Sequence, residues 1–302
     1  MRADLALDMV GVELAPAIDL EHFDSDEFPD GAFRWMQASM SSQAGARGLV
    51  SLHFSPRLDA PTPQPKVLMS DLSAFPITKR WPAKNPELLQ LYSLPTPNGV
   101  KVSIMLEEIG LPYEVHLVDF GRNDQKTPEF LSLNPNGKIP AILDPDGPGG
   151  KPLPLFESGA ILQYLAEKTG KLLPQDAARR YQTIQWLHFQ MGGIGPMFGQ
   201  VGFFHKFAGK EYEDKRPLER YVDESRRLLG VMEAHLAGRQ WVMDDEYTIA
   251  DISMLGWVRN LIGFYGAGEL VEFSQFKAVA TWLERGLARP AVQRGLNIPK
   301  RP

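Results

Sequence analysis

The spacing of apolar and polar positions predicts a strand, a helix and a second strand between residues 90 and 119. QLYSL at 90–94 is typical of a short strand, and PTPNG at 95–99 ends it as a turn. An amphipathic helix follows and ends at Gly110, with its apolar residues at the i, i+3, i+4 and i+7 positions: Val102, Met105, Leu106 and Ile109. PYEVHLVD at 112–119 then predicts a half-buried strand that turns Tyr113, Val115 and Leu117 inward.

A second set of elements completes this domain. Residues 120–138 predict a loop with a short helix at PEFLSL, and the apolar runs 139–144 and 152–157 predict a hairpin. A helix follows, with Ser158 as its N-cap and Gly170 just after its end. Because a helix joins the first two strands, we expect those strands to be parallel with a right-handed crossover. The result is a small four-stranded α/β domain.

Strand patterns stop after Leu173-Pro174, and residues 176–290 predict long helices. One helix carries a stripe of core positions at helical spacing: Leu218, Tyr221, Val222, Ser225, Leu229, Met232 and Leu236. Thr248-Ile-Ala-Asp251 is the pattern of a capping box, to which we assign a structural role at a buried helix start. An all-helical domain therefore follows the α/β domain.

Composition and charge exclude several classes of protein. Of the 302 residues, 43% are hydrophobic and 23% charged, which is typical of a globular chain, and the formal charge of −5 argues against nucleic acid as a partner. No apolar run approaches the roughly 18–20 residues of a membrane-spanning helix. The absence of cysteine excludes disulfides, Cys-ligated metal and a cysteine nucleophile of the protein's own. The six scattered histidines predict no metal site, and we expect a cytoplasmic protein.

The acidic charge is concentrated at the N-terminus. Residues 1–68 carry ten acidic and five basic side chains, and their Ser, Gly and Pro clusters predict a largely disordered segment. Two interpretations stay open: an acidic tail that solvates the chain or binds a partner, and an upstream start assignment with Met69 as the natural start. We place an extension at 1–85, the α/β domain at 86–172 and the helical domain at 175–295.

Four motifs in order resemble the cytosolic glutathione transferases: LYSLPTPNGVKVSIMLEE, NPNGKIPAI, FESGAILQYLAEKTG and YTIADI. The TPNG turn and QWLHFQMGGIGPMFGQ are similar to the bacterial Nu class of that family. The resemblance covers about residues 86–295. It implies a thioredoxin-like N-terminal domain, a helical-bundle C-terminal domain, glutathione or glutathione disulfide as co-substrate at one or two molecules per site, no metal, and a homodimer.

The first predicted helix begins at the turn that carries the catalytic candidates. Enzymes of this fold stabilise the glutathione thiolate with a hydrogen-bond donor, because a thiol pKa near about 8.5 leaves little anion at neutral pH. Thr96 and Asn98 stand where a hydroxyl, an amide and the helix dipole can point at one anion. The alternative is that Asn98 is only an N-cap. Tyr92 on the preceding strand is the rival sulfur partner, which we rank below them.

Further residues are expected to hold the tripeptide. Ile139-Pro140 sits where a cis bond frees the Ile139 backbone to pair with an extended ligand. Glu157 and Ser158 open a helix, where a γ-glutamyl ammonium and carboxylate would fit; the alternative is simple capping. The resemblance implies that Gln125, Ile139 and Arg220 contact glutathione. It also implies that Arg220 reaches the ligand across a dimer interface. Lys138 is a further candidate partner for a ligand carboxylate.

The glycine-rich stretch at 192–202 lacks the Gly-Lys-Ser/Thr ending of a phosphate loop. We interpret its glycines as permitting close helix packing or a break beside the substrate pocket. Four nearby residues either line an acceptor pocket or belong to the core: Phe198, Phe203, Phe204 and His205.

Three activities compete. The Nu-class resemblance implies a disulfide reductase that takes both electrons from exogenous glutathione, since the chain has no cysteine pair. The same thiolate could instead be conjugated to electrophilic carbon. The third possibility is a non-catalytic glutathione-binding or regulatory module, against which the intact set of expected ligand contacts argues.

Overall fold

The structure is a computed structural model that describes residues 72–300, so the expectations for residues 1–68 lie outside it. It begins with a 3₁₀ turn, Leu72–Ala74, and a short helix, α1 (Ile77–Arg80). Leu72 and Ile77 are buried in the same core cluster as Tyr92 of the first strand. Residues 72–85, which the sequence pattern placed in the extension, therefore share a core with the N-terminal domain.

Within the described part of the chain, four strands form one mixed sheet. They are β1 (Leu89–Ser93), β2 (Tyr113–Leu117), β3 (Ala141–Asp144) and β4 (Leu153–Phe156). The spatial order is β2-β1-β3-β4, with β1 and β2 parallel and the other neighbouring pairs antiparallel. The predicted parallel pair and the predicted hairpin are both confirmed.

Three helices belong to the sheet: α2 (Gly99–Ile109), α3 (Pro128–Leu133) and α4 (Ser158–Thr169). α2 ends at Gly110, whose φ of 71° is the left-handed conformation that glycine adopts without a Cβ clash. α3 is the predicted short helix in the loop, and the Thr127 hydroxyl accepts a hydrogen bond from the Phe130 N–H at its start.

The two faces of the sheet contact different core clusters. Leu91 packs in the cluster that also contains residues of α2 and α4, whereas Tyr92 faces α3 and the segment ahead of the sheet. The predicted inward face of β2 is wrong at Val115, which is 39% exposed, while His116 is buried. β2 is an edge strand, and His116 stacks on Tyr92 with ring centroids 4.7 Å apart.

Six helices follow. They are α5 (Ala177–Phe189), α6 (Gly195–Lys206), α7 (Arg216–Leu236), α8 (Ile249–Ile262), α9 (Lys277–Leu287) and α10 (Pro290–Gly295). α5 runs into α6 through one π-helical turn, Gln190–Ile194. The predicted stripe on α7 is confirmed in its central residues, since Val222, Leu229 and Met232 are buried.

The predicted capping box at the start of α8 is present. Asp251 accepts a hydrogen bond from the Thr248 N–H at 3.0 Å, and its other oxygen accepts from the Val242 N–H and the Trp282 indole. Burial raises the pKa of Asp251 to about 6. The carboxyl therefore joins α8, α9 and the loop before α8, which is the structural role expected from the sequence.

The two domains share one continuous core, and α2 makes much of the boundary. The Ser103 hydroxyl donates to the Gly295 carbonyl at 2.6 Å. Arg289 donates two hydrogen bonds to Glu108 at 2.7 and 2.8 Å. Because paired hydrogen bonds between an arginine and a carboxylate fix orientation as well as distance, these contacts hold α10 against α2.

Among residues 72–300, no helix is both long enough and apolar enough to cross a membrane.

Glycines on α6 allow α8 and the residues after it to approach closely. A Cβ at Gly195 or Gly199 would lie 3.4 Å from the Trp257 ring, and one at Gly202 would lie 2.3 Å from the Tyr265 ring. The interpretation of this stretch as a close-packing surface is confirmed.

Gly202→Ala is expected to lower the free energy of unfolding by about 1–3 kcal/mol, because the new methyl group overlaps the Tyr265 ring. Thermal denaturation followed by circular dichroism measures the change. Gly230→Ala on α7 is the matched control. A Cβ there meets no atom within 4 Å, so the helix propensity of alanine should leave stability unchanged or raise it by up to about 1 kcal/mol. Equal melting temperatures for the two variants would contradict the packing argument.

Candidate functional site

A cleft of about 1180 Å³ lies between the two domains. On the side of the sheet it is lined by the Thr96–Asn98 turn, Gln125 and the Lys138-Ile139 segment. On the helical side it is lined by aromatic residues, Trp257, Phe264 and Tyr265 among them. Five of the predicted site residues therefore meet in one cavity: Thr96, Asn98, Gln125, Lys138 and Ile139.

The turn before α2 owes its shape to Thr96 and Gly99. The Thr96 N–H donates to the Leu94 carbonyl at 2.7 Å, and the Thr96 hydroxyl oxygen accepts from the Gly99 N–H at 3.2 Å. A Cβ at Gly99 would lie 1.9 Å from the Leu94 oxygen, so only glycine fits there. Because the Thr96 oxygen already accepts the helix N–H, its own O–H hydrogen can be donated to a ligand in the cleft.

Asn98 is held from the opposite domain. Its Oδ1 accepts a hydrogen bond from the Trp257 indole N–H at 3.0 Å. Asn98 occupies the N-cap position of α2, as the alternative interpretation had it, but its side chain makes no capping bond: the Thr96 hydroxyl oxygen accepts the Gly99 N–H instead. Within residues 72–300 the Asn98 Nδ2 has no hydrogen-bond partner, and its two N–H donors remain for a ligand.

Gln125 stands in the loop between β2 and α3. It lines the cleft, and its Oε1 is buried without a hydrogen-bond partner in the described chain. A buried polar atom without a partner costs free energy, and a ligand donor would remove that cost.

The loop that carries Gln125 is fixed by the residue before it. The Asp124 carboxylate is buried and accepts hydrogen bonds from Arg80 of α1, from the Asp119 N–H at 2.9 Å and from Arg122 at 3.2 Å. Burial raises the pKa of Asp124, but these donors outweigh it and hold the pKa below its ordinary value. α1 thereby supports one wall of the cleft.

Ile139 lines the cleft, and its backbone groups are unpaired among the described residues. Neither its N–H nor its C=O makes a hydrogen bond within the part of the chain that the structure describes. The Ile139–Pro140 bond is cis, as predicted. The peptide group of Ile139 is thus available to an extended ligand.

Sheet register brings the start of α4 to the same end of the sheet. Ala141 pairs with Tyr92 of β1 and with Phe156 of β4. Residues just before Ala141 and just after Phe156 are therefore neighbours, and so is the turn that follows β1. Ile139, Pro140, Glu157 and Ser158 thus lie near one another, although Pro140, Glu157 and Ser158 do not line the cleft itself.

Ser158 is the first residue of α4, so its prediction as the N-cap is wrong. Glu157 occupies the cap position with a φ of 71°, an exposed side chain and no capping bond. The Ser158 hydroxyl is instead held by Lys101 of α2, whose Nζ lies 3.1 Å from its oxygen. The first N–H groups of α4 have no side-chain cap and can bind an anion.

Two predicted candidates stand apart from this cleft. Tyr92 does not line it: its ring is buried beneath the sheet, where burial raises its pKa, and its OH has no partner in the described residues. Arg220 is exposed on α7 and is not among the lining residues.

The aromatic residues that the sequence suggested for a pocket wall do not line the cleft. Phe198 is core, while Phe203 and Phe204 pack with Tyr212 outside the cleft. The aromatic residues that line it instead are Phe120, Phe207, Trp257, Phe264 and Tyr265. The glycines of α6 were the indirect sequence signal for this wall, because their lack of a side chain lets Trp257 and Tyr265 pack closely.

Lys101 was missed by sequence reasoning. It lies four residues before Met105, on the buried side of α2, and a lone charge at such a position was the available signal. In residues 72–300 no group of three or more His, Cys, Asp or Glu side chains is arranged to hold a metal ion.

Comparison with known proteins identifies the family. Residues 87–167 match the glutathione S-transferase N-terminal domain, and residues 195–290 match the C-terminal domain. The chain is 42% identical over 210 residues to the disulfide-bond oxidoreductase YfcG of Escherichia coli, covering 69% of this chain and 94% of that protein. The protein belongs to the glutathione S-transferase family.

Solved structures are more similar still. A glutathione transferase from Burkholderia graminis, with two glutathione molecules bound per subunit, is 74% identical with a TM-score of 0.76, and covers 78% of this chain and 98% of that one. A glutathione transferase from Pseudomonas putida, with one glutathione disulfide bound per subunit, is 73% identical with a TM-score of 0.75. The match covers 76% of this chain and 100% of that one. The predicted fold, a thioredoxin-like domain followed by a helical domain, is confirmed.

Arg80→Met is expected to lower the melting temperature at pH 7 by several degrees, because it removes a donor from the buried Asp124 carboxylate. The depressed pKa means that Asp124 stabilises the fold above about pH 4 and that this contribution is lost as the pH falls further. The difference between wild type and variant should therefore shrink as the pH falls below about 4 in thermal melts.

Arg216→Met is the control, since both side chains of the Arg216–Asp214 pair are at least half exposed. It should melt like the wild type. An Arg80→Met variant that does the same would contradict the role given to α1.

Proposed function

We propose that the protein is a glutathione-dependent disulfide-bond reductase with glutathione transferase chemistry at the same site. The observation that carries this proposal is a pair of donors at the start of α2, the Thr96 hydroxyl and the Asn98 amide, which have no acceptor within residues 72–300 of a chain without cysteine. The relatives named as disulfide-bond oxidoreductases and the related structures with bound glutathione support it.

The sulfur is activated by the environment at the beginning of α2. Two hydrogen-bond donors and the positive end of the helix dipole act on one thiolate and lower the pKa of the glutathione thiol. Trp257 fixes the Asn98 amide by binding its oxygen, so the amide hydrogens keep one direction. A pre-aligned donor of this kind stabilises the anion without reorganisation during the reaction.

Two glutathione molecules supply both electrons. The first thiolate attacks one sulfur of the substrate disulfide; a new S–S bond forms, the substrate S–S bond breaks, and the other substrate sulfur leaves as a thiolate that takes up a proton. A second glutathione thiolate attacks the glutathionyl sulfur of this mixed disulfide. Glutathione disulfide forms, and the second substrate thiol is released. The volume of the cleft, about 1180 Å³, supports room for both molecules.

The tripeptide is held along the end of the sheet. The Ile139 N–H and C=O pair with its cysteinyl backbone, and Gln125 with Lys138 contacts its polar groups beyond the sulfur. Glu157 accepts from the γ-glutamyl ammonium, while Ser158 and the first N–H groups of α4 hold the γ-glutamyl carboxylate. Pro140 fixes the backbone between these two regions.

Conjugation to an electrophilic carbon is the second activity. The aromatic wall of Phe207, Phe264 and Tyr265 favours flat apolar acceptors, a class that includes aryl halides with an electrophilic carbon. The alternative of a non-catalytic glutathione-binding or regulatory module is an outcome of the test below. Small-molecule or peptide disulfides and electrophiles are the proposed substrates, with the cytoplasm as the proposed location.

Asn98→Ala is expected to reduce kcat by about 100-fold with a smaller change in KM for glutathione, because it removes a donor from the thiolate. Thr96→Ala should act in the same direction. Parallel assays with a model disulfide and a model aryl halide at fixed glutathione measure both activities. Thr281→Ala, at an exposed position on α9, is the control variant and should keep the wild-type kinetics.

The outcomes separate the alternatives. Loss of both activities in Asn98→Ala supports a shared activated sulfur. Wild-type protein that binds glutathione but turns over neither substrate favours the non-catalytic module. Unchanged kinetics in both Asn98→Ala and Thr96→Ala would exclude this turn as the sulfur site.

We also propose a homodimer in which Arg220 of one copy reaches the ligand carboxylate bound by the other. Its support is the exposure of Arg220 on α7, outside the cleft of its own chain. Multi-angle light scattering should give twice the mass of the chain. A monomer that retains full affinity for glutathione would rule out this role for Arg220.

A further inference from the structure

Lys101 is a buried lysine that has no bound carboxylate among the described residues. Its side chain has no exposed surface, and its Nζ contacts three neutral groups: Gln190 Oε1 at 2.5 Å, Ser158 Oγ at 3.1 Å and Met191 Sδ at 3.4 Å. Among residues 72–300 no carboxylate lies within ion-pair distance of it. A buried ammonium without a counter-ion is costly, so its presence requires an explanation.

Its position links the two helix starts at the end of the sheet. Lys101 is the third residue of α2, the helix that begins at the Thr96–Asn98 turn. Its Nζ reaches Ser158, the first residue of α4. The proposed function puts an anion at each helix start, the thiolate at α2 and the γ-glutamyl carboxylate at α4. One cation therefore stands behind both anion sites.

Charged groups around Lys101 do not neutralise it. Glu157, the residue before α4, lies beyond contact distance of the Lys101 ammonium, and its negative charge only partly offsets the lowering of the lysine pKa by burial. From α8, Asp251 is bonded to Val242, Thr248 and Trp282, and Arg259 lines the cleft. At the α10 boundary, Arg289 and Arg294 bind Glu108 and Glu107, near the other end of α2. The π-helical turn, Gln190–Ile194, contains no ionisable side chain.

We propose that Lys101 is a positioning residue that acts through Ser158 to hold the γ-glutamyl carboxylate of glutathione at the start of α4. It rests on the proposed binding of glutathione in this cleft. The ammonium donates to the Ser158 oxygen, and the Ser158 hydroxyl donates to Met191 Sδ at 3.7 Å in the free protein. Because a thioether sulfur is a weak acceptor, the hydroxyl hydrogen turns to the stronger carboxylate acceptor when the ligand binds. Its charge adds to that of the helix dipole in a region of low dielectric.

Lys101→Met tests the charge with little change in volume. Glutathione should bind about tenfold more weakly, because one buried charge no longer acts on the carboxylate. The melting temperature of the ligand-free variant should be equal to or above that of the wild type, because an uncompensated buried charge has been removed. A merely structural lysine would give the opposite change in melting temperature. Lys277→Met, exposed on α9, is the matched control.

A ligand analogue isolates the interaction. In 4-aminobutanoyl-cysteinylglycine the γ-glutamyl carboxylate is replaced by hydrogen. Titration calorimetry should show that removing the carboxylate weakens binding to the wild type by clearly more than binding to Lys101→Met. Equal losses in the two proteins would overturn the proposal, and so would an affinity for glutathione in Lys101→Met within twofold of the wild type. Absence of wild-type binding to glutathione would instead overturn the proposed function.

A measurement on the wild type covers the case in which the variant does not fold. Burial lowers the pKa of Lys101 to about 7 in the free protein, and a nearby carboxylate should raise it. Binding of S-methylglutathione, which has no thiol proton, should therefore take up a fraction of a proton at pH 7.5. Calorimetry in buffers of different ionisation enthalpy measures this uptake. A value of zero would contradict the proposed coupling.

Discussion

The hydrogen bond from the Trp257 indole to the Asn98 amide oxygen joins the two domains at the point where chemistry is proposed. It leaves Asn98 with donors only, and those donors line the cleft. Its geometry depends on α8 lying close to α2, which requires small residues: a Cβ at Gly256 would lie 2.7 Å from Val100. The packing of the helical domain thus determines that the Asn98 side chain of the N-terminal domain offers hydrogen-bond donors, and not an acceptor, to a ligand.

Local pattern was enough for most of the fold. The change from period 2 to period 3.6 identified the parallel strand pair, the hairpin and α2, because each element obeys its own spacing. Thr248 and Asp251 were recognisable since both capping partners lie within one turn. Thr96, Asn98, Gln125 and Ile139 were identified through the family resemblance, and they meet in the cleft through sheet register and loop geometry.

Contacts between distant segments could not be predicted from pattern. The partner of Asn98 is 159 residues away, and Gln190 is 89 residues from Lys101. Ser158 was misplaced by one position because Glu157 adopts a positive φ, which only neighbouring structure imposes on a non-glycine residue. The prediction that Val115 faces inward was wrong because an alternating pattern does not distinguish an edge strand from a covered one.

The π-helical turn between α5 and α6 determines which way the side chains of α6 face. One extra residue in a helix rotates the following side chains by about 100° around the axis. Deleting a single residue there would restore a regular helix but would swing the small face at Gly195 and Gly199 away from the Trp257 ring. This local irregularity of the backbone thus sets the rotation of α6, so one insertion or deletion there would change which α6 residues support Trp257 and Tyr265 in the wall of the cleft.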